Sequence, residues 1–197
     1  MNIQHIKRRH QTSPWLLIIC VAFTTACAGE GNSSQRAKDP AAGKVKAPEV
    51  DIHTAVLSGN EEALQQHIAA GTDINSKDPF GGSSPLITAA VFGKADMARI
   101  LIDAGADINF QNNDGSTALI SAAFFGRPEI VQLLLDAGAD KTIKNKYGAT
   151  AYESVITPFS EAKGTYDMLG KALAPMGLKL DYTQLERVRP EIAKMLQ

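Results

Sequence analysis

The chain has 197 residues, with 20 lysines and arginines against 21 aspartates and glutamates, and only two cysteines. Neither sign of charge dominates, and two cysteines cannot make a disulfide framework.

Lys7, Arg8 and Arg9 precede an apolar run that starts at Trp15 and gives way to small residues at Thr24, Thr25, Ala26, Cys27 and Ala28. This is the order of a secretory leader, expected over residues 1–27, and its apolar part is well short of the ~20 residues a membrane-spanning helix needs. Two processing routes stay open. Residues 24–27, TTAC, look like a bacterial lipobox in which Cys27 takes the lipid, although Thr24 stands where that motif has leucine. Ala26 and Ala28 equally form an A-x-A pair for cleavage after Ala28, which would release a soluble protein. Arg8-Arg9 lacks the apolar residues that follow a twin-arginine signal, because His10 and Gln11 come next. In the lipoproteins this leader resembles, an Asp after the cysteine retains the anchor in the inner membrane; Ala28 stands there instead, and the resemblance implies an outer-membrane anchor facing the periplasm. Loss of the leader leaves 17 basic against 21 acidic residues, net −4, which argues against nucleic acid as a partner, with Cys27 the last cysteine. Residues 28–48 are Gly, Ser, Pro and charges with almost nothing large and apolar, and are expected to be a tether.

From Asp51 the chain repeats itself every 33 residues: ILIDAGAD at 100–107 returns as LLLDAGAD at 133–140, and ITAAVFGK at 87–94 as ISAAFFGR at 120–127. The units are expected over about 49–80, 81–113 and 114–146, with a fourth starting at 147. In unit one, Gln66 and His67 stand where later units have Ile100-Leu101 and Leu133-Leu134, and a polar outer face there marks a terminal cap. In unit two, Ser84-Pro85 reads as an N-cap followed by proline at the first helical position, and Gly93 as the stop. The helix after it presents Met97, Ile100 and Leu101 on one face, as Ile130, Leu133 and Leu134 do behind Pro128 in unit three. Residues 106–115, rich in Asn, Asp and Gly, are expected to project as a hairpin-like finger. The extra residue at Gly81-Gly82 should make the first finger bulge.

The register breaks at Pro158, yet RPEIAKML at 189–196 echoes RPEIVQLL at 127–134. One reading is a split fourth repeat, with helices near 150–156 and 190–196 and an inserted helix near 161–173, so that 157–197 is a helical insertion and cap. The other is an unrelated helical tail.

The pattern of helix, glycine, helix, AGAD-N and finger resembles the ankyrin repeat family, with SPLITAA and TALISAA standing for its T-P-L-H-x-A-A motif. Ile87 and Ile120 replace the histidine of that motif, which unit one keeps as His53. The resemblance implies an all-α solenoid of helix-turn-helix units with fingers and a helical C-terminal cap, similar to small exported bacterial ankyrin proteins. It also implies a binding wall of finger tips and first helices. The family's variable positions fall on Pro79, Phe80 and Ser83, on Asn113, Asp114 and Ser116, and on Lys146, Tyr147 and Ala149. On the first helices they fall on Leu57, Ser58, Val91, Phe92, Phe124 and Phe125. The candidate partner-binding set is therefore Leu57, Phe80, Val91, Phe92, Asn113, Asp114, Phe124, Phe125, Lys146 and Tyr147. Exposed aromatic pairs there make a protein-binding groove; alternatively, one member of each pair packs on the next unit or on the inserted helix.

No nucleophile elbow, phosphate loop, H-E-x-x-H or isolated carboxylate pair is present, and Asp73, Asp107 and Asp140 recur once per unit as turn residues. His53 and His67 have no metal-ligand spacing. No catalytic residue, cofactor or metal is expected. The expectation is a non-enzymatic, monomeric binder of another protein, such as a periplasmic enzyme or toxin, touching the membrane only through Cys27. Alternatives are a lipid-anchored envelope scaffold that self-associates, and a secreted effector acting in a host.

Overall fold

The computed structural model describes residues 45–197. The leader, Cys27 and most of the tether at 28–48 lie outside the described residues.

Nine α-helices and no strand occur among them: α1 (Ile52–Ser58), α2 (Glu61–Ala69), α3 (Pro85–Phe92), α4 (Ala95–Asp103), α5 (Ala118–Phe124), α6 (Pro128–Asp136), α7 (Ala151–Ile156), α8 (Phe159–Leu173) and α9 (Tyr182–Leu196). Every first helix starts at a side-chain cap. Asp51, Ser84, Thr117 and Thr150 accept from the amides of Thr54, Ile87, Ile120 and Glu153, and Thr150 with Glu153 completes a reciprocal capping box. The caps lie 33 residues apart because the local chemistry repeats.

Packing turns these starts into a stack. Helices α1, α3, α5 and α7 lie side by side in one row, and α2, α4, α6 and α9 in a second row behind it. The first row closes tightly because Ala89, Ala90, Ala122 and Ala123 are fully buried and let neighbouring backbones approach. Leu64, Met97, Leu101, Ile130, Leu134 and Ile192 fill the space between the rows. The buried face of the second helices is narrower than the periodicity predicts. Ala98 and Val131 are buried, while Ile100 and Leu133 are only half-buried at its edge. Ile87 and Ile120 are buried, and His53 reaches Thr88 Oγ1 at 3.5 Å in the same row.

Two further expectations change. His67 is not part of a polar outer face. It is 4% exposed, its Nε2 donates to the Val50 carbonyl at 2.8 Å, and its Nδ1 pairs with Thr72 Oγ1 at 3.1 Å. Only Gln66 faces solvent, donating to the Lys46 carbonyl. Helix α9 begins not at Pro190 but at Tyr182, capped by Asp181, and Pro190 lies inside it. In unit three the second helix must start at Pro128 because Gly126, at φ 65°, turns the chain just before it. No such turn precedes Pro190, so the buried series Leu185, Val188, Ile192 and Leu196 runs through it as one helical face. The carbonyl of Glu186, which the proline leaves unbonded, belongs to an exposed residue that water can reach.

Candidate functional site

The fingers are built by asparagine and aspartate side chains that bond their own backbone. Asn112 Oδ1 accepts from the amides of Asp114 and Ser116, and Asn145 Oδ1 from those of Tyr147 and Ala149, at 2.9–3.0 Å. Asp78 does the same in the first finger and takes a third amide, accepting from Phe80 and Gly81 at 2.8 Å and from Ser83. That third bond absorbs the extra residue. Burial pushes the Asp78 carboxyl up, but the amides of Gly81, Phe80 and Ser83 outweigh it and hold the group below its ordinary range.

Neighbouring fingers are bonded in series. The Asn113 amide donates to the Gly81 carbonyl at 3.0 Å and the Lys146 amide to the Asp114 carbonyl at 2.8 Å. At the finger bases Asn75 Oδ1 accepts from the Asp107 amide, and Asn109 Oδ1 from the Asp140 amide. Asp73, Asp107 and Asp140 each accept from an amide two residues on. Their recurrence is turn chemistry. The Asn113 carboxamide lies directly over Gly82, where a Cβ would collide with it and φ is 67°. The tips are thus a semi-rigid row whose side chains are held out by their own backbone.

The candidate residues divide into three groups. Phe80 and Tyr147 stand free at the tips, 86% and 79% exposed. Asn113, Asp114 and Lys146 are exposed beside them, and Leu57, Val91 and Phe92 are half-buried along the first helices. Phe124 and Phe125 do not open onto a groove. Phe125 is buried, 7% exposed, with its ring edge-on to Phe124 at 5.1 Å. Phe124 is half-buried, one face of its ring covered by Tyr166 of α8, stacked at 4.5 Å and 25°. An apolar strip running on into unit three is therefore narrowed at Phe124, because the inserted helix lays the Tyr166 ring over one face of it.

The lock over Phe124 involves residues that the sequence reading did not single out. The Tyr166 hydroxyl donates to the Phe124 carbonyl at 2.6 Å and accepts from Arg189 Nη1 at 2.7 Å. Arg189 is 3% exposed and also donates to the Thr157 carbonyl. Burial pushes the Tyr166 hydroxyl up, and the nearby guanidinium draws it part of the way back. The available signal was the spacing of Phe159, Ala162, Tyr166, Leu169 and Leu173, one apolar stripe on an otherwise polar helix. The echo of Arg127 at Arg189 misleads about role. Arg127 lies across Gly93 and reaches the Val91 carbonyl, whereas Leu185 and Val188 take the equivalent place over Gly126.

A family model described as "Ankyrin repeats (3 copies)" matches residues 52–145. The chain is 44% identical over 64 residues to human protein phosphatase 1 regulatory subunit 27, covering 32% of this chain and 41% of that protein. It is 41% identical over 64 residues to mouse protein phosphatase 1 regulatory subunit 12A, covering 32% and 6%. The crystal structure of the ankyrin repeat domain of Bcl-3 superposes with a TM-score of 0.51 at 35% identity, over 52% of this chain and 45% of that one. The chain thus spans less than half the length of each of these relatives. The fold is an ankyrin repeat solenoid, as the sequence reading has it.

Proposed function

We propose that this chain, whose residues 52–145 are ankyrin repeats, is a non-enzymatic protein-binding module of the bacterial cell envelope. It docks onto a partner protein, protecting or inhibiting it, through the face made by the finger tips and first helices. The carrying observation is the pair of bare aromatic rings, Phe80 and Tyr147, on fingers bonded to one another, with Asn113, Asp114 and Lys146 between them. Aromatic side chains exposed on a rigid support lose little entropy on binding and supply most of the energy at protein interfaces. The relatives support the coarser part of this reading, since two are named as regulatory subunits of a phosphatase.

Lipidation at Cys27 would hold the module at the outer membrane on its tether, with cleavage after Ala28 giving a soluble periplasmic form instead. The partner is a protein, not nucleic acid, and the module acts as a monomer without cofactor or metal. Full-length chain and a Phe80→Ser, Tyr147→Ser, Phe92→Glu variant, used as bait in periplasmic extract, test the docking face. The variant is expected to fold and to lose the captured partner, and a folded variant that keeps every partner overturns the assignment. Cys27→Ser should move the protein from the membrane fraction to the soluble one.

A further inference from the structure

We propose that α8 is a displaceable strap over the unit-three end of the binding face, which must lift before a partner can take the face of the Phe124 ring that Tyr166 occupies. This rests on the assignment of finger tips and first helices as the docking surface, and it adds regulation to that surface. Of the 15 residues of α8, Tyr166 alone is buried. Every other helix described buries a side chain on most of its turns, so α8 is held by one anchor where its neighbours are held by several.

The helix is weak in its own right. It carries Gly164 and Gly170 in its interior, and Pro158 at its N-cap supplies no side-chain bond. Helices of this length are marginal in water without packing, and interior glycine weakens them further. Its remaining ties are at most half-buried: Phe159, Ala162, Leu169 and Leu173 are partly covered, Gly170 lies against Leu180, Asp167 accepts from Lys163 one turn away and from the Tyr182 hydroxyl at 2.8 Å, and the Phe159 ring lies 6.1 Å from that of Tyr182. Phe159 also stacks on Tyr166 at 5.6 Å. Elements with few buried contacts open locally, well below the free energy of global unfolding.

The anchor ties the strap to the stable part of the molecule at two points through one residue. Arg189, buried on α9, donates to the Tyr166 hydroxyl inside the strap and to the Thr157 carbonyl just before it. Among the described residues it has no carboxylate partner, so its hold on α8 is through neutral acceptors. When α8 lifts, the stacked face of the Phe124 ring is uncovered in the unit next to that of Val91 and Phe92, and the apolar strip widens across units two and three.

Hydrogen exchange on the full chain tests the strap without needing a partner. Amides of 159–173 are expected to exchange at least about 100-fold faster than those of α3 and α5. A Cβ at Gly164 meets nothing within 4 Å, so Gly164→Ala should slow exchange in α8 about fivefold. Tyr166→Phe, which removes only the hydroxyl, should speed it about tenfold, and Tyr166→Ala should leave α8 unprotected while α3 to α6 keep their protection. Anilinonaphthalene sulfonate fluorescence should rise in Tyr166→Ala and fall back in Tyr166→Ala/Phe124→Ser. Exchange of α8 together with the repeats, loss of repeat protection in both Tyr166 variants, or no dye response overturns the strap. Loss of the finger-tip effect in the capture experiment, with the exchange pattern intact, overturns the docking face instead.

Discussion

At the scale of single residues, side chains that look polar in the sequence mostly serve the backbone. His67 occupies a core position because both its nitrogens find partners there, which makes a buried imidazole tolerable. Nothing in its neighbours' identities announces this; the partners are the Val50 carbonyl and Thr72, brought together only when the chain enters the stack. His67→Ala is expected to cost about 2 kcal/mol, since it leaves a cavity and an orphaned carbonyl, with urea unfolding as the check. Asp78 has a depressed pKa in the folded state, so its contribution is complete above the ordinary carboxylate range and is lost as pH falls below about 4. In Asp78→Asn that share of the acid sensitivity should vanish. Urea midpoints at pH 6 and pH 3 that shift equally in both proteins would contradict this. Gly126 combines φ 65° with contact to Leu185 and Val188, where a Cβ would lie 2.7 Å from Leu185 Cδ2. Gly126→Ala should therefore lower stability by about 1–3 kcal/mol, read by thermal melting.

At the scale of elements, α1 to α6 and the fingers were legible because their determinants are local. Caps at Ser84 and Thr117, proline at Pro85 and Pro128, and asparagine-rich finger turns act within a few residues of themselves. The C-terminal elements were less legible because their determinants are tertiary. The start of α9 depends on the absence of a turn that unit three possesses, and the role of α8 depends on a ring 42 residues away in sequence. The candidate site was legible in part for the same reason. Tip residues follow from the repeat register, whereas the covering of Phe124 follows from an insertion with no register at all. Helix α9 packs against α6 and α7 as the second helix of the last pair, so Ile192, fully buried, should matter as much as Leu134. Ile192→Ala is expected to cost about 2–5 kcal/mol, and an effect below 1 kcal/mol in urea unfolding would show α9 to be a detachable tail.

At the scale of the molecule, each helix pair touches only its neighbours, so stability accumulates along the stack and the ends matter most. Unit one is closed by the Val50–His67 and Lys46–Gln66 contacts, and the last unit by α9. Between them the fingers form one bonded row, and a row of fixed backbone with free aromatic tips is suited to recognition rather than to transforming a substrate. Site-specific photocrosslinking in the native cell tests that claim most directly, with a benzophenone amino acid replacing Phe80, Phe92 or Tyr147, or, on the exposed side of α6, Gln132. The expected result is a discrete adduct with another protein from positions 80, 92 and 147 and none from 132. Adducts from 132 alone, or none from the finger and first-helix positions in a protein that folds, would contradict it.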